Sequence, residues 1–292
     1  MSTTNSSQQS AVAAFRALHA SGCFVLPNPW DVGSAVYLRH LGFKALATTS
    51  AGFAFARALS DDVGVVPRDA MLAHFREIVE ATPLPVNADF QNAYADEPEG
   101  VAENVARCVA TGVAGLSVED ATGDGAVPLY ERSLAVERVK AARAAIDASG
   151  VPVVLTARCE AWLVGHPDPL RTSIDRLTAY AEAGADCLYA PGVRDPGEIE
   201  AIVLAVAPLP VNVLMSAPSE TLSLARLEDL GVRRVSVGSA LSRVAWGAFM
   251  RAARGLAAGS FDGLGDAVPF AEINEIFRPG PRQGVPGPLH RG

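Results

Sequence analysis

Carboxylate, amide and guanidinium side chains recur where short apolar segments of the sequence end. Asn87 and Asp89 end the segment LPVNADF, Glu119 ends GLSVED, and Arg158 and Glu160 end VVLTARCE. If these segments are strands, alternate residues point to the same side, so Asn87 shares a face with Asp89 and Arg158 with Glu160. The ends of parallel strands meet at one edge, and we expect these five side chains to converge there.

Converging carboxylates without a paired histidine or cysteine indicate a hard divalent cation. Mg²⁺ needs only one or two protein carboxylates, because water and substrate oxygens complete its shell; Mn²⁺ is a possible substitute. Asp89 and Glu119 are the candidate ligands. Such an ion binds a 2-oxo carboxylate and stabilises the enolate formed as a bond breaks. Arg158 is a candidate for bidentate binding of the substrate carboxylate. The alternative is a purely structural ring of salt bridges.

Lysine and histidine usage narrows the chemistry further. The only lysines are Lys44, at the start of a predicted strand, and Lys140, within a predicted helix. Schiff-base aldolases and pyridoxal-phosphate enzymes need a lysine inside the site, so both classes are disfavoured. Among the histidines only His166 falls near a strand end, and we interpret it first as a loop residue. Cys159 should point away from the site and serve packing.

A repeated local pattern predicts the elements that position these residues. Helical stretches end in a small residue with Gly, or in a Pro, and a short apolar or β-branched run follows. Eight strands are predicted near residues 24–28, 44–48, 85–90, 115–119, 152–158, 186–190, 210–214 and 234–238, with intervening helices that include 68–81, 98–111, 136–148 and 219–230. Alternating strands and helices favour a (β/α)8 TIM barrel with an N-terminal helix near 11–20 and a C-terminal helical extension. An open doubly wound sheet is the alternative, but its GxGxxG loop is absent.

Composition bounds the remaining possibilities. The 292 residues carry a net charge of −8 and no basic run, so nucleic acid is not an expected partner. The longest apolar stretch, 201–215, is broken by prolines, and no membrane segment or signal peptide is predicted. Four cysteines without CxxC spacing fit a reducing compartment, and we expect a cytoplasmic protein. We predict a disordered tail over 1–10, one barrel domain over 11–278 and a Pro/Gly-rich tail over 279–292.

At these residues the chain resembles the isocitrate lyase / phosphoenolpyruvate mutase superfamily. The similarity runs from about Phe15 to Ala253 and includes LPNPWDVGSA, ATTSAGFAFA, LPVNADFQNAYADEPEGVAENV, GLSVEDATG and VLTARCEAWLVG. It is the order and spacing of these segments together that make the resemblance specific. The resemblance implies a barrel with Mg²⁺ at its mouth, acting on C–C or C–P bonds beside a 2-oxo or 2-hydroxy carboxylate through an enolpyruvate-like intermediate. It also implies a homotetramer in which a C-terminal helix, here 270–277, is exchanged between subunits.

The resemblance also assigns roles by position. The implied metal-binding residues are Asp89, Glu119 and, in place of the family's first DxD aspartate, Asn87. Arg158 matches the substrate-carboxylate arginine, and Asp61 the acidic residue of the loop after strand 2; with Tyr94 they are the predicted catalytic residues. The predicted substrate-binding residues, which include two polar residues at the ends of strands 5 and 7, are Trp30, Ser50, Ala51, Gly52, Arg158, Glu160 and Asn212.

Three departures separate the chain from the lyases and mutases of that superfamily. Asn87 replaces an aspartate, the KKCGH-type loop with its catalytic cysteine is absent after Glu119, and the lyase glutamate after strand 6 falls at Pro191. The remaining features predict a Mg²⁺-dependent lyase or decarboxylase, similar to 2-methylisocitrate lyase or oxaloacetate decarboxylase, whose acid or base is Tyr94, His166 or water. The alternatives are a phosphonopyruvate C–P hydrolase or mutase and a non-catalytic binding barrel.

Overall fold

A computed structural model describes residues 3–278 of the chain, and the predicted tail over 279–292 lies outside these residues. Eight strands are present: β1 (Phe24–Leu26), β2 (Leu46–Ala47), β3 (Val86–Asp89), β4 (Gly115–Glu119), β5 (Val154–Arg158), β6 (Cys187–Tyr189), β7 (Val211–Leu214) and β8 (Arg234–Ser236). The helices are α1 (Thr3–Ala20), α2 (Val32–His40), α3 (Ser50–Phe55), α4 (Arg68–Ala81), α5 (Pro98–Val109), α6 (Arg132–Ala148), α7 (Pro169–Glu182), α8 (Pro196–Val206), α9 (Leu224–Asp229), α10 (Ala240–Ala257) and α11 (Phe270–Phe277), with a 3₁₀ turn at Asp262–Leu264.

The strands form one parallel sheet that curls into a barrel. Their order is β1-β8-β7-β6-β5-β4-β3-β2, and every recorded pair is parallel. β1 and β2, at the two ends of this order, approach each other as well, because the Ala47 amide donates to the Pro27 carbonyl at 3.0 Å. The predicted (β/α)8 TIM barrel is therefore confirmed. All eight carboxyl ends of the strands open on one face, where such barrels place their sites.

Local capping chemistry starts the helices that follow the strands. Asp31 caps α2 in a capping box with Ser34, and Asp168 and Asp195 cap α7 and α8 with their side chains. α5, α7 and α8 each begin at a proline, which fits the first turn because the missing amide has no partner there. These caps fix where each strand-to-helix loop ends, and so where the residues at the strand ends are held.

Helix α1 includes residues 3–10, which belong to the segment predicted to be a disordered tail. It begins at Thr3, well before the predicted start near residue 11. The Gln8 side chain donates to the carbonyls of Val109 and Val113, at 2.9 and 3.0 Å, and so ties this polar segment to the barrel. Such a tertiary anchor lies a hundred residues away in sequence, and local composition carries no signal of it.

The described residues fall into two compact units, one ending at Gly247 and one beginning at Ala248, and the single domain over 11–278 remains a prediction. The boundary falls within α10. Beyond it the 3₁₀ turn folds back on the same helix, where the Gly263 backbone lies so close to Ala252 that an added Cβ would be 2.9 Å from its Cα. Between residues 3 and 278, no helix combines the length and apolarity that crossing a membrane requires.

Candidate active site

A cavity of about 260 Å³ lies inside the barrel and opens at the carboxyl ends of the strands. Most of the predicted site residues line it: Ser50, Ala51, Asp61, Asn87, Asp89, Glu119, Arg158, Glu160 and Asn212. They come from five strands or the loops that follow them, so the barrel brings together residues up to 162 positions apart, from Ser50 to Asn212. The cavity is also lined by residues that the sequence analysis did not select, among them Arg234 and Ser236.

Arg158 stands at the centre of the cavity in contact with three carboxylates. Its Nη1 lies 2.9 Å from Asp89 Oδ1 and 2.6 Å from Glu119 Oε1, and its Nε lies 2.8 Å from Glu160 Oε1. Glu119 and Arg158 are directly paired in register on β4 and β5, which places one beside the other. The terminal nitrogen Nη2 makes no hydrogen bond to residues 3–278, so it is the part of this guanidinium that is available to a ligand.

Burial controls the ionisation of the glutamates in this cluster. Removal from water raises the pKa of Glu119, and the charges of Glu160 and Asp89 raise it further, while Arg158 opposes the shift. Removal from water raises the pKa of Glu160 as well, and the charge of Arg158 again acts in the opposite direction. One guanidinium thus serves several carboxyl groups, and a further cation would be favoured among them.

Asp89 links the cluster to the loop after β2. The Ser50 amide donates to Asp89 Oδ2 at 2.9 Å, while the Asp89 amide donates to Thr48 Oγ1 at 2.9 Å. Both oxygens of this carboxylate are therefore held in place, one by the backbone and one by Arg158. Because the loop carries Ser50 and Ala51 into the cavity wall, Asp89 positions that wall as well.

Asp61 is a carboxyl group of the cavity with a raised pKa. The residue as a whole is exposed, but it lines the cavity. Partial burial, with the neighbouring charge of Asp89, raises its pKa to about 6, although a hydrogen bond with Ser50 and the charge of Arg158 act in the opposite direction. A group with this pKa exchanges a proton near neutral pH, as an acid or base in catalysis must.

The loop after β3 holds Tyr94 in a left-handed backbone conformation, with φ of 55°, and Gln91 and Ala93 adopt φ of 46° and 59°. The Tyr94 ring packs on Phe90, with centroids 5.3 Å apart, and Tyr94 is not among the residues lining the cavity. Its hydroxyl is buried without a hydrogen-bond partner among the described residues. Burial, with the charges of Asp89 and Glu119, raises its pKa, so the phenol is neutral.

Four other residues do not line the cavity: the candidates Trp30, Gly52 and His166, and Cys159. Gly52 packs under the loop after β2, where an added Cβ would lie 2.8 Å from the Cβ of Trp30, so these two residues contact each other. His166 accepts a hydrogen bond from the Asp168 amide at 3.1 Å, in agreement with its interpretation as a loop residue. The buried Cys159 accepts from Ser173 Oγ at 3.4 Å and serves packing, as expected.

Arg234 is the charged residue of the cavity that the sequence analysis missed. It lies on β8 and lines the cavity with Ser236, two positions further along the same strand. The signal was present, because alternation places residues 234 and 236 on one face with Gly238, a position already assigned to the strand end. Arg234 begins its strand, whereas active sites of barrels lie at the carboxyl ends of strands, so its position did not indicate a site residue.

The cavity's chemistry fits a divalent cation bound through few protein atoms. Among residues 3–278 no group of three or more His, Cys, Asp or Glu side chains is arranged to hold a metal ion. Asp89 and Glu119 nevertheless offer carboxylate oxygens in one cavity, whereas the buried Asn87 Oδ1, which has no hydrogen-bond partner in the described chain, lies against Gly115 at the end of the barrel that α1 covers. Mg²⁺ needs only one or two carboxylates and retains several waters.

Comparison with known proteins identifies the family. The family model for phosphoenolpyruvate phosphomutase matches residues 15–257. The chain belongs to the phosphoenolpyruvate mutase family. This agrees with the resemblance inferred from the strand-end motifs, and the family's members and their relatives are lyases and mutases. The chain is accordingly an enzyme of the isocitrate lyase / phosphoenolpyruvate mutase superfamily.

Individual relatives place the chain within this superfamily. A solved structure from Burkholderia cenocepacia J2315 is 48% identical, with a TM-score of 0.89 and coverage of 94% of this chain and 98% of the other. The oxaloacetate decarboxylase of Rhodopseudomonas palustris (strain BisB5) is 32% identical over 75% of this chain and 74% of its own. The structure of oxaloacetate acetylhydrolase in complex with the product oxalate is 26% identical, with a TM-score of 0.81 and coverage of 92% and 94%.

Proposed function

We propose that this enzyme is a Mg²⁺-dependent lyase or decarboxylase that breaks a C–C bond of a small 2-oxo or 2-hydroxy carboxylate. The observation that carries the proposal is the cavity in which Asp89, Glu119 and Glu160 surround Arg158. The similarity to an oxaloacetate decarboxylase and to the oxalate-bound acetylhydrolase supports a small oxo acid as the substrate class.

Arg158 binds the substrate carboxylate in this proposal. Its Nη2 is free of hydrogen bonds within the described chain, whereas Nε and Nη1 are held by carboxylates that fix the plane of the guanidinium. A guanidinium fixed in this way holds the Nη2 donors at a defined position, so a substrate carboxylate would be bound through this one nitrogen. Ser50 and Ala51 form the adjoining wall, and Glu160 and Asn212 line the opposite strands.

Asp89 and Glu119 are the residues that would hold Mg²⁺, and the bound ion would stabilise negative charge on the enolate oxygen. The predicted third ligand, Asn87, turns its amide oxygen toward Gly115, where an added Cβ would lie 2.5 Å from it, and is left out of this set. The chain itself provides the proton. When a 2-oxo diacid loses carbon dioxide, the C–C electron pair passes into an enolate, and its carbon then takes up a proton. Asp61, with a pKa of about 6, is the carboxyl group of the cavity best matched to donate it.

The experiment that tests this proposal measures pyruvate release from oxaloacetate and from 2-methylisocitrate, with Mg²⁺ and with EDTA. Spontaneous decarboxylation of oxaloacetate is subtracted using Mg²⁺ without enzyme. We expect turnover of at least one of these acids, loss of that turnover in EDTA, and no phosphate release from phosphonopyruvate. Phosphate release would instead favour the C–P hydrolase, and turnover unchanged by EDTA would contradict the metal assignment.

We also propose that the enzyme is a cytoplasmic homo-oligomer, a tetramer by resemblance to its superfamily. Exposed apolar side chains on α11 support association, since Phe270 is 89% exposed and Phe277 46%. Four free cysteines support a reducing compartment. Light scattering of the purified protein tests the first statement, and a monomer mass at micromolar concentration would contradict it.

A further inference from the structure

Arg234 is a buried cation whose neighbours are all neutral. The residue is 2% exposed. Its Nε donates to Asn212 Oδ1 at 2.9 Å and its Nη2 to Thr156 Oγ1 at 3.0 Å, while Nη1 lies 3.3 Å from His19 Nε2. Within residues 3–278 no carboxylate forms a salt bridge with it, although the cavity it lines contains four acidic side chains. A buried charge is costly unless an opposite charge compensates it.

His19 does not supply that compensation. Its Nδ1 lies 2.8 Å from the Phe15 carbonyl, which can only accept, so this nitrogen carries the hydrogen and Nε2 accepts from Arg234. Burial and the charge of Arg234 lower the pKa of His19 to about 3, and the imidazole is neutral. His19 and Phe15 belong to α1, which closes the barrel from below. An added Cβ at Gly115 would lie 2.6 Å from the Phe15 ring.

Arg234 lies deeper in the barrel than Arg158. The ladder pairs Arg158 with Tyr189, Tyr189 with Asn212 and Asn212 with Arg234. Neighbouring strands are about 4.8 Å apart and barrel strands tilt by about 36°, so three steps along this row descend roughly 8 Å toward the amino-terminal end. That His19 of α1 reaches Arg234 agrees with this direction. Both arginines line one cavity, one near its mouth and one at its floor.

We propose that Arg234 determines specificity by binding a second carboxylate of the substrate at the floor of the cavity. A guanidinium has five N–H donors, and three contacts account for only three of them. Asn212 and Ser236 line the same floor, with the Asn212 Nδ2 donating to Ser236 Oγ at 2.9 Å. The inference rests on the proposed function, in which Arg158 binds the 2-oxo carboxylate, and it makes the substrate a compact dicarboxylate.

Malate and 2-hydroxybutyrate test this proposal, because a carboxylate in the first replaces a methyl group in the second and neither needs to react. Calorimetric titration in the presence of Mg²⁺ gives both affinities. A charge-assisted hydrogen bond is worth about 1.5–3 kcal/mol, so we expect the enzyme to bind malate about 10-fold to 100-fold more tightly. Equal affinities for the two acids would contradict the proposal, and binding of neither would contradict the proposed function together with it.

Two variants assign the preference to Arg234. In Arg234→Gln we expect the malate preference to fall below about threefold, with the affinity for 2-hydroxybutyrate nearly unchanged, because only the charged contact is lost. Arg234→Lys retains the charge and should retain part of the preference, and it serves if the glutamine variant fails to fold. A glutamine variant that folds and keeps the full malate preference would overturn the assignment. A lysine variant that folds and loses the whole preference would overturn it as well.

The turnover experiment separates the two claims. Failure of every 2-oxo acid to react, with the malate preference present and dependent on Arg234, would reject the proposed reaction and keep the floor subsite. Pyruvate release, together with a malate preference that is unchanged in the Arg234 variants, would support the proposed reaction and reject the floor subsite.

Discussion

The cavity contains one arginine at its mouth and one at its floor, and their surroundings carry opposite charge balances. At the mouth, Arg158 contacts three carboxylates within 2.9 Å. At the floor, Arg234 contacts an amide, a hydroxyl and a neutral imidazole. One cavity is therefore short of positive charge at its mouth and short of negative charge at its floor. Such an arrangement suits a cation above and an anionic group below.

The largest effect is expected from Arg158→Gln. Removing the guanidinium leaves three neighbouring carboxylates without a cationic partner, and loss of one partner of a buried pair typically costs about 3–5 kcal/mol. We expect a loss of that order in the free energy of unfolding, measured by urea denaturation at neutral pH, together with loss of turnover. Arg132→Gln is the matched control, because its pair with Asp175 is exposed, with side chains 47% and 56% accessible, and should leave the denaturation midpoint unchanged. A midpoint equally unchanged in Arg158→Gln would contradict the account of the mouth.

Asp89→Asn should come next in magnitude. Asparagine keeps the shape and can still accept from the Ser50 amide, but it removes the charge that Arg158 and a cation need. Altering even an outer partner of a metal site costs about 10–100-fold, so we expect kcat to fall by more than about 100-fold with the circular dichroism spectrum preserved. Activity within a few fold of the unmodified enzyme would reject Asp89 as a metal-binding residue.

The Asp61 carboxyl predicts a pH dependence with a definite sign. Its pKa is raised to about 6, first by burial, so the proton-donating form is present below this pH and is lost above it. If Asp61 protonates the enolate carbon, kcat falls as the pH rises through about 6, and Asp61→Asn abolishes this limb of the profile while lowering kcat. A limb that persists in the variant would assign the proton to another group.

Cysteine substitutions should have the smallest effect. Cys108, Cys159 and Cys187 are buried, and burial raises the pKa of the partly exposed Cys23 thiol to about 11. A nucleophilic or acidic thiol has to be accessible and tuned toward neutrality. We expect Cys23→Ser and Cys159→Ala to retain kcat within about twofold, since neither thiol lines the cavity. Loss of activity in either would show that a thiol replaces the missing catalytic loop of the related lyases.

Local patterns in the sequence predict most of the fold. Helix α4 occupies Arg68–Ala81 as predicted, because its apolar residues repeat at helical spacing after a proline. The predicted helix over 219–230 shortens to Leu224–Asp229, since Ser219 Oγ accepts amides of the preceding turn and Ser223 caps the helix instead. Ser219, Thr221 and Ser223 are all suitable N-cap residues, so the sequence does not show which of them begins the helix.

The candidate site is predictable to a smaller extent. Alternation along the strands places Asp89, Glu119, Arg158 and Glu160 in one cavity. It does not reveal that Arg158 already contacts all three carboxylates, which depends on rotamers, nor that Tyr94 turns its ring onto Phe90, which depends on left-handed backbone angles in its loop. Arg234 was not predicted because it begins a strand instead of ending one, and its contact with His19 joins residues 215 positions apart in sequence.

The most direct test of the central claim is calorimetric titration of oxalate, a planar mimic of the enolate of pyruvate, with Mg²⁺ and with EDTA. If Asp89 and Glu119 hold the ion beside Arg158 despite Asn87, oxalate binds tightly with Mg²⁺, weakly in EDTA, and weakly in both for Asp89→Asn. Oxalate that binds equally well in Mg²⁺ and in EDTA, or in neither, would contradict the account of this cavity as a metal-dependent enolate site.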